Sequence, residues 1–434
     1  MKEVYIIGNG VAGSTLALNL SSSENYRVHL ISDESDFFYS RTALMYLYMG
    51  HLTPKQTEPY ERGFWEKSGI HRIRGRVIAL KREEKTLSYT DQEGKSHHAS
   101  YDILVLATGS LPRFLDWPNR TLKGISGLYH LNDLKHIKSY TDSSNCKEAV
   151  IVGGGLIGVE LAEMVHSRGI DTTVVIREPY FWSSVLPDSD AQLVQRHIES
   201  HGVHLRTEAE VLAFLSDNGT NLSGVQLQSG EQLKAQFAGV CIGVSPNTGF
   251  LASSGLTLNE GIVVNEYLQT NDPSIYAIGD CAELSQYQSD RRAVEAVWYV
   301  AREMAETLSK HLLEGNTAYK QRHWLNSAKF FDLEYQTYGQ VSSSAKRKNS
   351  EQQFHWHTQK QHKGITLSYS AHDRKFLGVN TFGIRLKQEV FEQWLNASES
   401  IETVVAQLDL AHFDPEFSKT YYNDFRYAFV SNHS

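Results

Sequence analysis

Cysteine is scarce in this chain. Its 434 residues include three cysteines, Cys146, Cys241 and Cys281, and no two of them are spaced as C-x-x-C or C-x(4)-C. Redox-active dithiols and cysteine-bound zinc or iron–sulfur centres need such closely spaced thiols. The sequence therefore predicts no disulfide framework, no dithiol and no cysteine-ligated metal.

Long apolar runs and an excess of positive charge are missing too. No uninterrupted apolar run approaches the roughly 20 residues that cross a bilayer, and no signal-peptide pattern is recognised. We therefore expect no transmembrane segment and a cytoplasmic location. The formal net charge of −8 argues against nucleic-acid binding. A local basic run, Lys346, Arg347 and Lys348, is either a solvated loop face or a docking patch for an acidic protein.

Three histidines invite a metal interpretation: His355, His357 and His362. The first two alternate as on one face of a strand, and no acidic ligand is evident beside them. Zinc sites combine several nitrogen, sulfur or carboxylate ligands. The sequence therefore predicts no metal site.

What the chain does contain is one glycine motif in two copies. Residues 8–13 read Gly-Asn-Gly-Val-Ala-Gly after the apolar residues 4–7, and residues 153–158 read Gly-Gly-Gly-Leu-Ile-Gly after the apolar residues 149–152. Each copy is G-x-G-x-x-G between a strand pattern and a helix pattern. Two copies in this context predict two dinucleotide sites, and so electron transfer between two cofactors.

The glycine spacing has a physical reason. The first glycine permits a tight bend after the strand, the second lets the backbone approach a pyrophosphate, and the third lets the helix pack on the strand. The N-terminus of that helix offers free N–H groups and about half a positive charge to the phosphates.

The length of the chain predicts two or three domains. We expect a discontinuous domain over 1–112 and 246–316, a second over 113–245, and an aromatic C-terminal domain over 317–434. The predicted fold class is α/β, with two Rossmann-like three-layer dinucleotide-binding domains plus an α+β C-terminal interface domain. Helices are expected over 188–201 and 292–313, and residues 421–430 are expected to form a strand or a core segment.

Five motifs in this order resemble one family, the FAD-dependent pyridine nucleotide-disulfide oxidoreductase superfamily, most strongly over residues 1–316. The motifs are Gly8-x-Gly10-x-x-Gly13, Ala107-Thr108-Gly109, Gly153-x-Gly155-x-x-Gly158-x-Glu160, Gly243-x-x-Pro246-Asn247 and Gly279-Asp280. The resemblance implies that the first glycine site holds FAD and the second holds NADH or NADPH.

The resemblance also implies which residues bind each cofactor. Asp33 lies where a carboxylate would bond the adenosine ribose, and Asp280 where it would accept from ribityl hydroxyls. The residues expected to bind FAD are Gly8, Gly10, Val11, Ala12, Gly13, Asp33, Arg41, Val77, Ala107, Thr108, Gly109, Gly279 and Asp280. The residues expected to bind NAD(P) are Gly153, Gly155, Leu156, Ile157, Gly158, Arg177 and Gly243.

Residues 39–44, Tyr-Ser-Arg-Thr-Ala-Leu, separate branches of the family. Disulfide reductases place C-x(4)-C in this region, and the single-cysteine branches place a thiol where this chain has Thr42. The pattern Y-x-R-x-x-L instead resembles the ferredoxin, rubredoxin and nitrite reductase-type branch, without a redox-active cysteine. In that branch Arg41 would meet the FAD pyrophosphate, while Tyr46 stands where many members carry a lysine.

Two residues are expected around the reacting rings, Glu160 near the nicotinamide and Trp298 near the flavin. For the choice of nicotinamide cofactor, NAD enzymes usually place a carboxylate at the end of the second strand. Here Ile176 takes that position and Arg177 follows, which favours NADPH weakly.

The predicted activity is FAD-dependent oxidation of NAD(P)H, with electrons passed to a ferredoxin- or rubredoxin-like protein. Two alternatives stay open: an NAD(P)H:quinone or oxygen reductase, and a flavoprotein that senses NAD(P)H. A homodimer is also compatible with the aromatic C-terminal part.

Overall fold

The structure is a computed structural model that describes residues 1–358, 362–414, 416 and 419–433. Contacts divide the chain into two compact units. Unit 1 comprises Met1–Leu115, Ser126–Tyr140 and Gly243–Gln321, and unit 2 comprises Asp116–Ile125, Thr141–Ile242 and Arg322–Ser434. The three-domain division predicted from the sequence remains a prediction.

The regular elements of the described residues follow in chain order. The strands are β1 (Lys2–Ile7), β2 (Tyr26–Ser32), β3 (His71–Lys81), β4 (Thr86–Asp91), β5 (Ser96–Ser100), β6 (Ile103–Leu106), β7 (Ser110–Pro112), β8 (Ile125–Ser126), β9 (Glu148–Val152), β10 (Asp171–Val175), β11 (His204–Arg206), β12 (Val211–Leu215), β13 (Gly224–Leu227), β14 (Gln232–Lys234), β15 (Phe237–Val240), β16 (Val244–Pro246), β17 (Ile262–Val264), β18 (Ile275–Ala277), β19 (Ala282–Leu284), β20 (Leu325–Phe330), β21 (Leu333–Gly339), β22 (Glu351–His357), β23 (Gly364–Ser370) and β24 (Phe376–Phe382). The α-helices are α1 (Val11–Ser21), α2 (Leu44–Met49), α3 (Arg62–Lys67), α4 (Leu131–Thr141), α5 (Leu156–His166), α6 (Asp188–Ser200), α7 (Trp298–Glu314), α8 (Gln388–Ala397), α9 (Ile401–Ala406) and α10 (Tyr422–His433).

Unit 1 is built on a seven-stranded sheet in the order β18-β6-β1-β2-β3-β4-β5. The five strands from β18 to β3 are parallel, and β4 and β5 extend the sheet as antiparallel strands. The four residues of β6 are all buried, as expected for a parallel strand covered on both faces. Helices α1 and α7 pack together, and Asn19 bonds Ser309 at 3.1 Å between them.

Unit 2 contains a parallel sheet in the order β11-β10-β9-β15-β8 and a small antiparallel sheet of β12, β13 and β14. Helix α5 follows β9 and packs closely on the sheet. The third glycine of the second motif, Gly158, allows this because it has no side chain and is buried against the preceding turn. The C-terminal part of the unit is an antiparallel sheet in the order β20-β21-β24-β23-β22. Helices α8 and α10 bury aromatic side chains beside this sheet, among them Phe391, Trp394 and Phe425, and α9 adds aliphatic ones.

The predicted fold class is confirmed: two parallel-sheet dinucleotide-type domains with an α+β C-terminal part. One element prediction is wrong in its start, and another is correct only in part. The helix expected from Arg292 begins at Trp298, because Glu295 is buried in a bidentate ion pair with Arg291 that fixes the preceding segment as a loop. Residues 421–430 are a core segment, as one of the two expectations had it, but not a strand: residues 422–430 lie in α10, whose buried Phe425 and Phe429 face the C-terminal core.

Among the described residues, no helix is both long and apolar enough to cross a membrane.

Candidate functional site

The first glycine turn joins β1 to α1 in unit 1. Gly8 has φ of +109°, and a Cβ there would lie 2.1 Å from the carbonyl oxygen of Ala107. A Cβ on Gly13 would lie 1.9 Å from the oxygen of Gly8. Both positions therefore require glycine. Gly10 differs, because a Cβ there would meet no heavy atom within 4 Å.

The open position at Gly10 coincides with the start of a helix. Gly10 is the N-cap of α1 and offers no side-chain cap to the first turn, where Val11 and Ala12 lie. Helix N-termini without a capping side chain present N–H groups and a partial positive charge to an anion. The turn thus has the free space and the donors that a dinucleotide pyrophosphate needs.

Several other predicted residues gather at the same edge of the sheet, where the parallel strands of unit 1 end. Ala107 follows β6, and its neighbour Thr108 donates from its hydroxyl to the carbonyl of Asn247 at 2.8 Å. Gly279 follows β18 with φ of +72°, and a Cβ there would lie 3.2 Å from Cβ of Ala12. Ligands of open α/β sheets bind at such carboxyl ends, so the structure brings this predicted set together.

Asp280 is held by a residue that the sequence did not reveal. The hydroxyl of Tyr129 donates to the Asp280 carboxylate at 2.9 Å and accepts from the backbone N–H of Ser110 at 3.0 Å. Burial raises the pKa of Asp280, and the hydrogen bond from Tyr129 opposes that rise. The tyrosine also lies beside Gly109, where a Cβ would come within 2.8 Å of its hydroxyl oxygen.

Arg41 is bound within the protein. Its guanidinium contacts the Glu34 carboxylate at 2.9 Å and donates to the carbonyl of Tyr129. Burial alone would raise the pKa of Glu34, but the hydrogen bond from His130 and the charge of Arg41 hold it far below its usual range. The expected contact of Arg41 with a pyrophosphate stays a prediction, and Glu34 is its partner in the structure.

The two remaining FAD predictions lie further along the same edge. Asp33 follows β2 with a side chain that is 57% exposed, and Arg76 lies 3.8 Å from its carboxylate. Val77 sits on β3 at a register shift in its pairing with β4. An exposed carboxylate beside the first turn suits hydroxyl groups that arrive with a ligand.

The second glycine turn, in unit 2, repeats the geometry of the first. Gly153 has φ of +121°, and a Cβ there would lie 2.2 Å from the oxygen of Cys241. A Cβ on Gly158 would lie 2.2 Å from the oxygen of Gly153, whereas one on Gly155 would meet no heavy atom within 4 Å. Gly155 caps α5 without a side-chain bond, so Leu156 and Ile157 open a second uncapped helix.

Glu160 lies one turn into α5 and is half-buried. Burial raises the pKa of its carboxyl to about 8, and the neighbouring charge of Glu163 adds to the rise. The group is therefore mostly protonated at neutral pH. A neutral carboxylic acid can donate a hydrogen bond, which an ionised one cannot.

The residue that directly follows β10 is not a carboxylate but Ile176. Ile176 is buried, and its Cγ2 lies 2.7 Å from where a Cβ on Gly154 would be. Arg177 follows with a side chain that is 73% exposed, and Glu178 lies 3.7 Å away. Gly243, at the start of the last segment of unit 1, has φ of +106° and open space around it.

Trp298 is the first residue of α7. Its ring lies edge-on to Tyr299 at 5.4 Å, and the guanidinium of Arg302 lies 5.8 Å from the ring centre. Thr42 is exposed and its hydroxyl bonds that of Ser40 at 3.0 Å. All three cysteines are buried and free, so no thiol lies at the position of Thr42.

The chain is similar to known proteins over most of its length. The family model for the pyridine nucleotide-disulphide oxidoreductases matches residues 2–305. The chain is 29% identical to a nitrite reductase [NAD(P)H] of Bacillus subtilis over 72% of its own length, but spans only 37% of that protein. It is 30% identical to rhodocoxin reductase of Rhodococcus erythropolis, with 76% of each chain covered.

Solved structures extend the likeness. A ferredoxin reductase from Rhodopseudomonas palustris superposes with a TM-score of 0.78 at 25% identity, over 88% of this chain and 91% of that one. The nitrite reductase large subunit of Escherichia coli is another long relative, of which this chain spans 33%. The chain thus corresponds to about a third of these large reductases and to most of the smaller ones.

Proposed function

The chain belongs to the pyridine nucleotide-disulphide oxidoreductase family, and from this premise we propose that it is an FAD-dependent NAD(P)H oxidoreductase. It takes hydride equivalents from NADH or NADPH and passes electrons to a small iron–sulfur or rubredoxin-type protein. The predicted resemblance to the ferredoxin and rubredoxin reductase branch is confirmed by the relatives.

The observation that carries this proposal is the pair of glycine turns. In each turn, a Cβ on the first or third glycine would collide with a backbone oxygen. A Cβ on the second glycine would meet nothing, and this glycine is the N-cap of a helix that has no side-chain cap. A Cβ would be tolerated sterically at Gly10 and Gly155, so the free space there serves a ligand rather than packing. Pyrophosphate groups fit both places, which supports two dinucleotide sites in one chain.

The surroundings of the first turn fit FAD. Asp280, held by Tyr129, presents a carboxylate to ribityl hydroxyls, and Asp33 presents one to the adenosine ribose. When bound, FAD supplies the ability to accept two electrons and release them singly. The protein's part is to hold the isoalloxazine and nicotinamide rings in contact and to exclude water from them.

The surroundings of the second turn fit a nicotinamide dinucleotide and favour NADPH. Ile176 places no negative charge where a 2′-phosphate would lie, and the exposed Arg177 can pair with that phosphate. Glu160, neutral near pH 7, offers a hydrogen-bond donor without repelling the cofactor. We place Glu160 near the nicotinamide and Trp298 near the flavin.

The lack of a thiol at Thr42 argues against a disulfide substrate, and the relatives support a protein acceptor. Thr42 stands where single-cysteine relatives carry their nucleophile, and Cys146, Cys241 and Cys281 are all buried. None of these three cysteines is therefore placed as an exposed thiol that could carry electrons. The relatives include rhodocoxin and ferredoxin reductases, which supports a small iron–sulfur protein or rubredoxin as acceptor.

The basic run at residues 346–348 suits docking of an acidic acceptor, because all three side chains are exposed. Replacing Lys346, Arg347 and Lys348 by alanine should raise the KM for a ferredoxin about tenfold at low salt and flatten its salt dependence. A matched control replaces three scattered exposed lysines, Lys55, Lys95 and Lys310. Equal effects of the two triple variants would reject the patch while leaving the proposed activity intact.

The main experiment screens acceptors with the purified FAD-loaded protein. NAD(P)H is supplied, and reduction of cytochrome c is followed with and without ferredoxin, beside oxygen and quinones. Ferredoxin-dependent reduction supports the proposal. Equal rates with quinone or oxygen alone favour the first alternative, and very slow flavin reduction with a persistent charge-transfer band favours a sensor.

The quinone alternative loses one of its supports. A quinone reductase of a membrane would need an apolar or amphipathic surface segment, and the aromatic residues 422–430 could supply one. They lie in α10, whose Phe425 and Phe429 are buried in the C-terminal core. Tyr427 and Val430 remain exposed on the same helix.

We also propose that the C-terminal sheet and helices form an interface, with a homodimer as its simplest form. Light scattering of the full chain tests this, and a monomer at all concentrations would reject it.

A further inference from the structure

A cluster of metal-ligand side chains lies in unit 2, outside its glycine turn. His197 lies on α6 and His201 directly follows the helix, four residues later, while Asp332 lies in the turn between β20 and β21. The Asp332 Oδ1 atom is 2.9 Å from Nε2 of His197 and 3.2 Å from Nε2 of His201. Residues four apart share one face of a helix, so both imidazoles reach the same carboxylate.

Hydrogen bonding within the cluster is incomplete. His197 has only 6% of its side chain exposed, and although its Nε2 is close to Asp332, neither of its ring nitrogens makes a hydrogen bond of good geometry within the described residues. Buried polar atoms are rarely left unpaired, since this costs about 1–3 kcal/mol.

A hydrogen bond and a ring contact fix the orientation of the second imidazole, that of His201. Nδ1 of His201 lies 2.9 Å from the backbone carbonyl oxygen of His197. A carbonyl only accepts, so Nδ1 carries a proton and Nε2 is the ring nitrogen that faces Asp332. The Phe331 ring packs 4.7 Å from the His201 ring and fixes its plane. Hydrogen bonding of the non-ligating nitrogen to a carbonyl is the usual arrangement of metal-bound histidines.

We propose that His197, His201 and Asp332 bind a divalent transition-metal ion of the zinc class. Zinc–nitrogen and zinc–oxygen bonds of about 2.0–2.2 Å place tetrahedral ligand atoms roughly 3.3 Å apart. The observed separations of 2.9 and 3.2 Å are close to that edge. Asp332 is 77% exposed, so the fourth position opens to water.

A second histidine cluster in the same unit shows what a satisfied site looks like. His355 and His357 surround the buried Asp190, whose carboxylate also accepts from Asn380 at 3.0 Å and from Thr366. The sequence expectation that these histidines have no acidic neighbour is wrong. Because hydrogen bonds complete the Asp190 cluster, it is a buried polar network and leaves no open position for an ion.

A bound ion would connect α6 to the β20–β21 turn. That turn is also tied to α5, because the N–H of Phe331 donates to Glu163 at 2.6 Å. Three elements of unit 2 would then be fixed to one another at this point. Since a ligand that binds only the folded state stabilises it, the ion should raise the thermal midpoint of the protein.

The test uses the full-length FAD-loaded protein after treatment with a chelator. Co²⁺ is titrated and followed by its visible absorption, and Zn²⁺ binding is measured by equilibrium dialysis. We expect one ion per chain, at least about a tenfold loss of affinity in both His201→Ala and Asp332→Asn, and a zinc-dependent rise in thermal midpoint that both variants lose. Both altered side chains are more exposed than that of His197, so these variants should fold.

His204→Ala is the matched control, because His204 forms an exposed pair with Asp171 at 3.2 Å in the same unit. It should bind the metal as the unaltered protein does. An absence of binding at micromolar metal, or binding that survives in both His201→Ala and Asp332→Asn, would overturn the proposal. Normal flavin absorbance in each variant verifies that the chain is folded.

Discussion

The protonation state of Glu160 gives the sharpest quantitative prediction. Its carboxyl is half-buried on α5, and burial with the nearby charge of Glu163 raises its pKa from 4.5 to about 8. Between these two values the folded protein keeps a proton that the unfolded chain has lost. The contribution of Glu160 to stability is therefore fully present below about pH 4.5 and is lost as the pH rises through 8.

The size of this effect follows from proton linkage. Where the folded state holds one proton more than the unfolded chain, each unit of rising pH lowers the free energy of unfolding by about 1.4 kcal/mol. For a unit of about 200 residues this corresponds to roughly 3–5 °C in thermal midpoint per pH unit. Glu160→Gln keeps the shape and the hydrogen-bonding capacity of the neutral acid but cannot ionise.

The measurement is the thermal midpoint of the wild type and Glu160→Gln from pH 5.5 to 9. The difference between them should grow by about 3–5 °C per pH unit in favour of the variant and level off above pH 8. Glu210→Gln, at an exposed glutamate of the same unit, is the control and should show no such trend. If the difference between wild type and Glu160→Gln is constant across the range, the reasoning about burial is refuted.

The proposed role of Glu160 has a separate readout. The pH profile of NAD(P)H oxidation should bend near pH 8 in the wild type, because ionisation of Glu160 would remove its proton donor beside the nicotinamide. Glu160→Gln should lack this bend. A bend that persists in the variant would assign it to another group and would leave the stability argument untouched.

Three further predictions test the site. Arg177→Ala should raise the KM for NADPH about tenfold and leave that for NADH little changed; equal effects on both would end the NADPH assignment. Tyr129→Phe should weaken FAD binding about five- to hundredfold, because it removes the hydroxyl that bonds Asp280 and the N–H of Ser110, whereas Tyr267→Phe should not. Gly10→Ala should fold normally and bind FAD poorly, while Gly13→Ala should fail to fold, since its Cβ would lie 1.9 Å from the oxygen of Gly8; normal FAD affinity in Gly10→Ala would contradict the pyrophosphate assignment.

The glycine turns were predictable because their chemistry is local. The motif over residues 8–13 encodes the bend, the open position and the helix start within six neighbouring residues. The same holds for residues 153–158. The sequence therefore predicts both turns without the rest of the fold, and in the structure both have the tight first and third glycines and the open second glycine of the motif.

The partners of these sites were not predictable, because they come from distant parts of the chain. Tyr129 and Asp280 are 151 residues apart in sequence, and Glu34 meets His130 across 96 residues. No periodicity relates such positions. The helix start at Trp298 was missed for the same kind of reason, since the Arg291–Glu295 ion pair overrides the helical pattern before it.

The two glycine turns have the same backbone geometry but differ in the charged groups around them. The first is surrounded by ionisable groups that are already engaged, Asp280 with Tyr129 and Glu34 with Arg41. A ligand that joins this network gains many fixed partners, which favours a cofactor that stays bound. The second faces a neutral Glu160, an apolar Ile176 and an exposed Arg177, so a ligand there gains few buried contacts. Under the proposed function, this contrast in surroundings, rather than the glycines themselves, would make the first turn the site of a resident flavin and the second the site of an exchanging nicotinamide.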